Sequence, residues 1–185
     1  MTLTDLAADP ASATVANVWL ALAPEERRRA VALSLQDDRD AKRALVALLR
    51  KTPRYRSFRP TAFASWSAEQ YADALKAPGL LTPDVMQAAL IALHVQDRAA
   101  MLGAFLDSLG IAHTNGLITD TLDELPAGQD RLLAAADDLA SRFPADQVTL
   151  YFLTLLVLDP KLWGGLAGWL SGSPAPAPSR PPAAP

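Results

Sequence analysis

The stretch from Leu81 to Ile118, LTPDVMQAALIALHVQDRAAMLGAFLDSLGIAHTNGLI, contains a dense apolar run, both histidines and the clearest turn signal of the chain. Thr82-Pro83 suits a helix start, because threonine can cap the first turn and proline needs no N–H partner there. Gly110 can adopt the left-handed conformation that ends a helix, and Asn115-Gly116 is typical of a tight turn. We therefore predict helical structure up to Gly110, followed by a turn.

The apolar face of this stretch changes direction when each residue is placed about 100° from the last. The first half carries its apolar side chains at Val85, Met86, Ala89, Leu90 and Leu93. The second half carries Met101, Leu102, Phe105, Leu106 and Leu109 on a side turned by roughly 150°. One straight helix would need burial on nearly all sides, whereas a break near Asp97 needs only two amphipathic helices. We favour the break, with the Asp97 carboxylate capping the second helix.

The chain has 185 residues, of which 50% are hydrophobic, and alanine and leucine dominate. This composition favours helices and is also typical of GC-rich bacterial genomes. A chain of this length can bury roughly 70% of its unfolded surface in one domain, so it needs neither a metal nor disulfides. We predict an all-α fold, a single-domain bundle of about seven to nine helices over residues 1–170.

Two observations bear on the compartment. The N-terminus has no basic residue before its first apolar run, so it does not resemble a secretory signal. The apolar run Val148–Leu158 is far shorter than the ~20 residues of a membrane-spanning helix, and Asp159-Pro160-Lys161 interrupts it. We expect a soluble cytoplasmic protein with no transmembrane segment, in which this run is a buried core helix.

Local start signals predict further helices. Ser12 suits the cap of an early helix, and Ser67 with Gln70 has the spacing of a capping box. Thr121 and Glu124 suggest a short helix before the acidic stretch that follows. A weak repeat of helix pairs begins near residues 22, 81 and 143, although chance recurrence of proline starts and aspartate caps explains it equally well.

The C-terminal residues 171–185, SGSPAPAPSRPPAAP, lack large apolar side chains. Such a composition cannot bury enough surface to fold and favours extended chain. We predict a disordered Pro/Ala-rich tail.

The most polarised segment is residues 50–60, RKTPRYRSFRP, which we call the basic loop. It holds five cations and two aromatic rings without an acidic residue, and the candidate binding residues are Arg50, Lys51, Arg54, Tyr55, Arg56, Phe58 and Arg59. Cations neutralise phosphates and aromatic rings can stack on bases, so a phosphate ligand or nucleic acid is one interpretation. A protein partner is another.

A third interpretation is that the basic loop pairs with the acidic segment 117–146, within one chain or between copies. From Pro24 to Pro60 eleven basic residues stand against five acidic ones, although the whole chain has a net charge of −3. The basic charge is therefore concentrated, while the overall acidity argues against a general DNA-binding protein.

The two histidines give a weaker site signal. His94 precedes Asp97 and Arg98 by about one turn, so it either forms a His/Asp pair or packs in the structure. His113 and Asn115 lie on the predicted turn and are candidates for a small-ligand pocket or an active site. No metal-binding motif such as HExxH is present, and no nucleotide-binding or nucleophile motif occurs, so we predict no metal and no cofactor.

These observations favour a non-enzymatic helical interaction or scaffold protein that binds a protein partner or a second copy of itself. The alternatives are anion or nucleic-acid binding through the basic loop, and a ligand pocket or enzyme around His113 and Asn115. Without cysteine, disulfides, iron–sulfur clusters and cysteine nucleophiles are excluded.

Overall fold

The structure, a computed structural model, describes residues 1–36, 39–74 and 82–172. Within these ranges eleven α-helices and one two-stranded hairpin are present. The helices are α1 (Leu3–Ala8), α2 (Val15–Ala21), α3 (Pro24–Gln36), α4 (Arg39–Leu49), α5 (Ala68–Ala74), α6 (Pro83–Ala92), α7 (Ala99–Leu109), α8 (Gln129–Arg142), α9 (Ala145–Leu158), α10 (Pro160–Trp163) and α11 (Gly165–Gly172). The strands are β1 (His113–Thr114) and β2 (Leu117–Ile118); Pro10–Ser12 and Pro60–Phe63 form 3-10 turns, and Leu93–Asp97 forms a π-helical turn.

The predicted all-α class is confirmed, and the core lies around α9. Every residue from Leu150 to Leu156 is buried, as a helix that is apolar on all sides requires. Helix α9 packs against α1, α2, α8, α10 and α11. Phe105 of α7 joins this core, with its ring centroid 5.1 Å from that of Phe152 and 6.0 Å from that of Trp163. The central and C-terminal apolar helices are therefore inside.

The predicted break near Asp97 is confirmed. The segment Pro83–Asp97 and helix α7 are inclined to each other by 89°, and the π-helical turn precedes the bend. Asp97 does not cap α7, however, because its carboxylate accepts from Arg29 Nε of α3 at 2.8 Å. Thr82 does occupy the N-cap position of α6, but its side chain makes no capping hydrogen bond.

Of two other predicted caps, the one at Ser67 is confirmed and the one at Ser12 is wrong. Ser67 and Gln70 form the capping box of α5, with hydrogen bonds of 2.8 and 3.3 Å. The cap of α2 is Thr14 and not Ser12, since Thr14 Oγ1 accepts from the N–H of Asn17 at 3.2 Å. Ser12 instead ends a 3-10 turn, and its hydroxyl donates to the carbonyl of Asp9.

The short helix predicted from Thr121 and Glu124 is wrong, because residues 119–128 form bends and irregular chain. Proline at position 126 disfavours a helical conformation at Leu125, which leaves too few residues for a turn. Asp159 does cap the helix that follows it, accepting from the N–H of Lys161 and of Leu162.

Most of the predicted tail, over 173–185, falls outside the described residues. The first two residues assigned to that tail, Ser171 and Gly172, are the end of α11.

Among the described helices, none is by itself long and apolar enough to cross a membrane. The pair Pro83–Asp97 and Ala99–Leu109 has sufficient combined length and apolar composition, and this is the pair that bends by 89°.

Candidate functional site

The basic loop follows α4 as a series of hydrogen-bonded turns. The N–H of Lys51 donates to the carbonyl of Leu48, and those of Tyr55 and Phe58 donate to the carbonyls three residues earlier. The Thr52 hydroxyl donates to the carbonyl of Leu49 at 2.7 Å. The backbone of the loop is therefore an ordered extension of the helix end.

Aromatic packing attaches this loop to the protein. Tyr55 is only 8% exposed, and its ring centroid lies 5.5 Å from that of Trp66 and 6.4 Å from that of Phe63. The hydroxyl of Tyr71 donates to the carbonyl of Phe63 at 2.7 Å, and burial raises the pKa of Tyr71. Tyr55 is thus an anchor, and Phe58, at 39% exposure, is the loop ring that solvent reaches.

The cations of the loop have the opposite environment. Arg50, Lys51, Arg54, Arg56 and Arg59 are all exposed. The guanidinium of Arg54 lies 5.3 Å from the centroid of the Tyr55 ring, an arrangement that suits a cation–π contact. These side chains form a positive surface next to the end of α4.

Intramolecular pairing of this surface with the acidic segment 117–146 is wrong for the part of the chain that the structure describes. The ion pairs of that part include those of Arg28 with Asp73, Arg29 with Asp97, Arg98 with Glu26, His113 with Asp107 and Arg142 with Asp138. None involves a cation of the basic loop. In the acidic segment, Asp138 pairs within its own helix and Asp137 accepts from Trp169 Nε1 at 2.7 Å.

A groove of about 500 Å³ adjoins the positive surface. Its floor is apolar and consists of Val46, Ala47, Pro60, Phe63, Ala64 and the ring of Tyr71. Its rim carries the cationic side chains of Lys42, Arg43 and Arg50, and Lys42 Nζ lies 5.8 Å from the centroid of the Tyr71 ring. We call this the cationic groove. Among its residues only Arg50 was a candidate from the sequence. The other residues were not predicted, because α4, a 3-10 turn and α5 contribute to the groove from separate segments.

The second candidate region, around His113 and Asn115, is a β-hairpin. Asn115 has φ 51° and Gly116 has φ 83°, which is the type I′ turn that Asn-Gly favours. The N–H of Gly116 donates to His113 Nδ1 at 3.1 Å, so the proton of the neutral ring is on Nε2, which lies 3.1 Å from Asp107 Oδ1. Nδ1 of His113 therefore stabilises the turn of the hairpin and Nε2 joins the hairpin to α7, while Asn115 is exposed at the tip.

His94 is deeply buried, with 3% of its surface exposed, and its Nε2 lies 3.1 Å from Thr154 Oγ1. The suggested His94/Asp97 pair is therefore wrong, since Asp97 binds Arg29 on α3. Burial, and after it the charge of Arg98, lowers the pKa of His94 to about 3. One signal for this polar contact was present in the sequence, because Thr154, like Thr149, is a polar residue inside the apolar run of α9.

The described residues contain no group of three or more histidine, aspartate or glutamate side chains arranged to hold a metal ion. The cationic groove is thus the region where exposed charge and an apolar concavity coincide, and it is the candidate site for a binding partner. No known family model, no curated protein and no solved structure matches this chain.

Proposed function

We propose that this chain is a non-enzymatic interaction protein that holds an acidic, amphipathic segment of a partner protein in the cationic groove. The observation that carries the proposal is the position of an apolar floor directly beside exposed cations. An amphipathic helix places apolar side chains on one face and acidic ones at its borders, which matches this arrangement. The basic loop extends the positive surface beyond the groove and would attract such a segment over a longer range.

The size of the groove supports a segment rather than a whole protein face. A volume of about 500 Å³ accommodates two or three large apolar side chains. Burial of each contributes about 1.5–3 kcal/mol, and the cost of association offsets part of this gain. We therefore expect weak binding, with a Kd of roughly 0.1–1 mM for a matching peptide.

Burial of Tyr55 favours a protein partner over nucleic acid. Non-specific binding of single strands combines cations with rings on which bases stack. Here Tyr55 is packed against Phe63 and Trp66, and the exposed ring of the loop is Phe58. A phosphate ligand or nucleic acid would use the cations but would leave the apolar floor of the groove unused.

A second copy of the chain matches the groove less well. Helix α8 is acidic, but its apolar side chains Leu132 and Leu139 are buried within its own molecule. Two of its carboxylates, Asp137 and Asp138, already have partners. This helix would present negative charge without an apolar face for the floor.

The test is fluorescence anisotropy with a synthetic peptide of about 18 residues, because shorter isolated helices are marginal in water. The peptide carries a leucine and phenylalanine stripe bordered by glutamate. Arg50→Glu should weaken its binding about tenfold through lost attraction and added repulsion. Ala47→Trp, which fills the floor, should weaken binding at least as much without changing any charge.

Lys161→Glu is the matched control, because Lys161 is exposed on α10 and outside the groove. This variant should bind the peptide like the wild type. The proposal is contradicted if the peptide does not bind, or if binding is insensitive to Ala47→Trp. A single-stranded oligonucleotide or inorganic phosphate that binds more tightly, and is released by changing Arg54, Arg56 and Arg59 to alanine, would instead support an anion site. Concentration-dependent dimers that Arg50→Glu dissolves would support self-association.

A further inference from the structure

The basic loop contains cations that do not belong to the cationic groove. Lys51, Arg54, Arg56 and Arg59 are exposed, do not line the groove and form no ion pair with a carboxylate of the described residues. The described segment 39–74, which includes the loop, has eight basic and three acidic residues, whereas the whole chain has a net charge of −3. Positive charge is therefore concentrated here in an otherwise acidic protein.

The cations surround one exposed aromatic ring. The guanidinium of Arg54 lies 5.3 Å from the centroid of the Tyr55 ring, and the ring of Phe58 lies 5.6 Å from the same centroid. Arg56 and Arg59 are two residues and one residue away from Phe58, so their Cα atoms lie within about 8 Å of its Cα. Cations this close combine into one local field at physiological salt, where the Debye length is about 8 Å.

Phe58 is held in place and remains accessible. Its ring centroid lies 5.6 Å from that of Tyr55 and 5.9 Å from that of Phe63, yet 39% of the residue is exposed. The N–H of Phe58 donates to the carbonyl of Tyr55 at 3.0 Å, as part of the hydrogen-bonded turns of the loop. The loop therefore presents this ring without having to order its backbone when it binds.

We infer that the basic loop binds the surface of a membrane that contains acidic lipids, with the ring of Phe58 inserted at the level of the headgroups. Segments that bind at this interface combine an apolar side chain, which enters it, with lysine or arginine side chains, which are attracted to the anionic headgroups. Three of the four cations are arginines, whose guanidinium groups can donate two hydrogen bonds to one phosphate. The contact is peripheral and involves only the surface of the bilayer.

A lipid surface fits the loop better than a nucleic acid or an acidic peptide does. Binding of single strands uses successive rings with open faces, but Tyr55 is only 8% exposed, which leaves Phe58 as the one accessible ring of the loop. An acidic amphipathic peptide matches the concave apolar floor of the groove, which these four cations do not line. The inference does not depend on the proposed function, because neither Arg56 nor Phe58 belongs to the groove.

The expected affinity is modest. Each cation close to an acidic membrane should increase partitioning about fivefold, and the exposed part of Phe58 should add a factor of about three. Four cations and one ring then give half-maximal binding at roughly 0.1–1 mM accessible lipid. Such binding is reversible and should decrease steeply with salt, because salt screens exposed charges.

The test is flotation of the full chain with lipid vesicles at low salt. The protein should float with vesicles of phosphatidylcholine that contain roughly 30% phosphatidylserine, and not with phosphatidylcholine alone. An increase in salt from about 0.05 M to about 0.5 M should release it. Arg56→Glu should weaken binding roughly 10–30-fold, because it removes one attraction and adds a repulsion. Lys161→Glu is the matched control, since it makes the same change of charge on exposed α10 and should leave binding unchanged.

Two substitutions of Phe58 test the inserted ring. Phe58→Ser removes the apolar group and should weaken binding about threefold at unchanged charge. Phe58→Leu keeps an apolar side chain and should bind nearly as well as the wild type. Equal binding of the serine and leucine variants would overturn the insertion of this residue.

Other results would overturn the membrane site itself. These are equal binding to neutral and acidic vesicles, binding that Arg56→Glu leaves intact, and no binding at about 5 mM acidic vesicle lipid in low salt. Release by about 10 mM inorganic phosphate at constant ionic strength would show a site for a soluble anion instead. A single-stranded oligonucleotide that binds more tightly than the vesicles and displaces them would assign the loop to nucleic acid.

Discussion

At the scale of single residues, the core of this protein keeps two basic side chains out of solvent. His94 and Arg98 are both buried, one turn apart at the bend between α6 and α7. Arg98 retains its charge through its ion pair with Glu26 of α3, whereas His94 donates to a neutral hydroxyl. The two residues therefore respond differently to pH and to loss of their partners.

Because of His94, the free energy of unfolding should decrease as the pH is lowered. Its pKa is lowered to about 3 in the folded chain, chiefly by burial, against the ordinary value of 6.5 when unfolded. Below pH 6.5 the unfolded state takes up a proton that the folded state does not, so the free energy of unfolding decreases until about pH 3. We expect this residue to account for a loss of roughly 3 kcal/mol between pH 6.5 and about pH 4.

Urea denaturation of the wild type and of His94→Phe at both pH values measures this contribution. The carboxylates titrate in both proteins, so the difference between the two pH dependences belongs to His94. If both proteins lose the same stability on acidification, His94 does not contribute in this way.

At the scale of elements, local patterns predicted the start of α6, the bend at Asp97, the capping box of α5 and the Asn115-Gly116 turn. Each depends on neighbours within a few residues. The role of Asp97 was not predictable in this way, because its partner Arg29 lies 68 residues earlier in the chain. The buried contact between His94 and Thr154 was not predictable for the same reason, since 60 residues separate them.

The candidate binding site was predictable in part. Charge alone indicated where the cations of the basic loop are concentrated, but it left open whether they are exposed or paired with segment 117–146. Tyr55 looked equally available, but Phe63 and Trp66 bury it, and their packing depends on how the chain folds back after the loop. Nothing in the sequence indicates that residues such as Ala47 and Ala64 belong to the floor of the groove.

Two glycines provide a test of the hairpin. Gly116 has φ +83° and an added Cβ would lie 2.5 Å from Leu102 Cβ, so Gly116→Ala combines backbone strain with a clash. Gly110 has φ +72°, and the nearest atom to an added Cβ is 3.8 Å away, so Gly110→Ala meets backbone strain alone. We expect losses of roughly 2–4 kcal/mol and about 1 kcal/mol respectively.

Thermal or urea denaturation of both variants measures these losses. Comparable losses would show that the hairpin moves freely away from α7 to accept the methyl group. In that case the contact between the hairpin and Leu102 would be less fixed than the distance indicates.

At the scale of the whole molecule, helix α3, which belongs to the basic segment from Pro24 to Pro60, forms two ion pairs with residues at the bend. Arg29 of α3 binds Asp97, and Glu26 of α3 binds Arg98. The same helix packs against α5 and α6, next to the elements that form the cationic groove. Charge counts along the chain suggested a different pairing, between the basic loop and segment 117–146, but composition contains no information on which segments become neighbours.

Removal of the ion-pair partner of Arg98 should lower the free energy of unfolding. The Arg98 side chain is 7% exposed, so Glu26→Ala leaves a buried charge without its carboxylate and should lower the free energy of unfolding by roughly 2–4 kcal/mol. Asp138→Ala removes a carboxylate from an exposed pair with Arg142 and should change stability by less than about 0.5 kcal/mol. Urea denaturation at neutral pH compares the two. Equal effects would show that water or another group compensates Arg98.

The central position of α9 has a consequence for biosynthesis. This helix is the hub against which α1 and α2 pack, yet more than a hundred residues separate them from it in the chain. As the polypeptide leaves the ribosome, the apolar surfaces of α1 and α2 that pack against α9 stay exposed until Leu158 has emerged. A nascent chain arrested before Ala145 should therefore be a client for chaperones and easily digested by proteases, and it should gain resistance once α9 is free to dock.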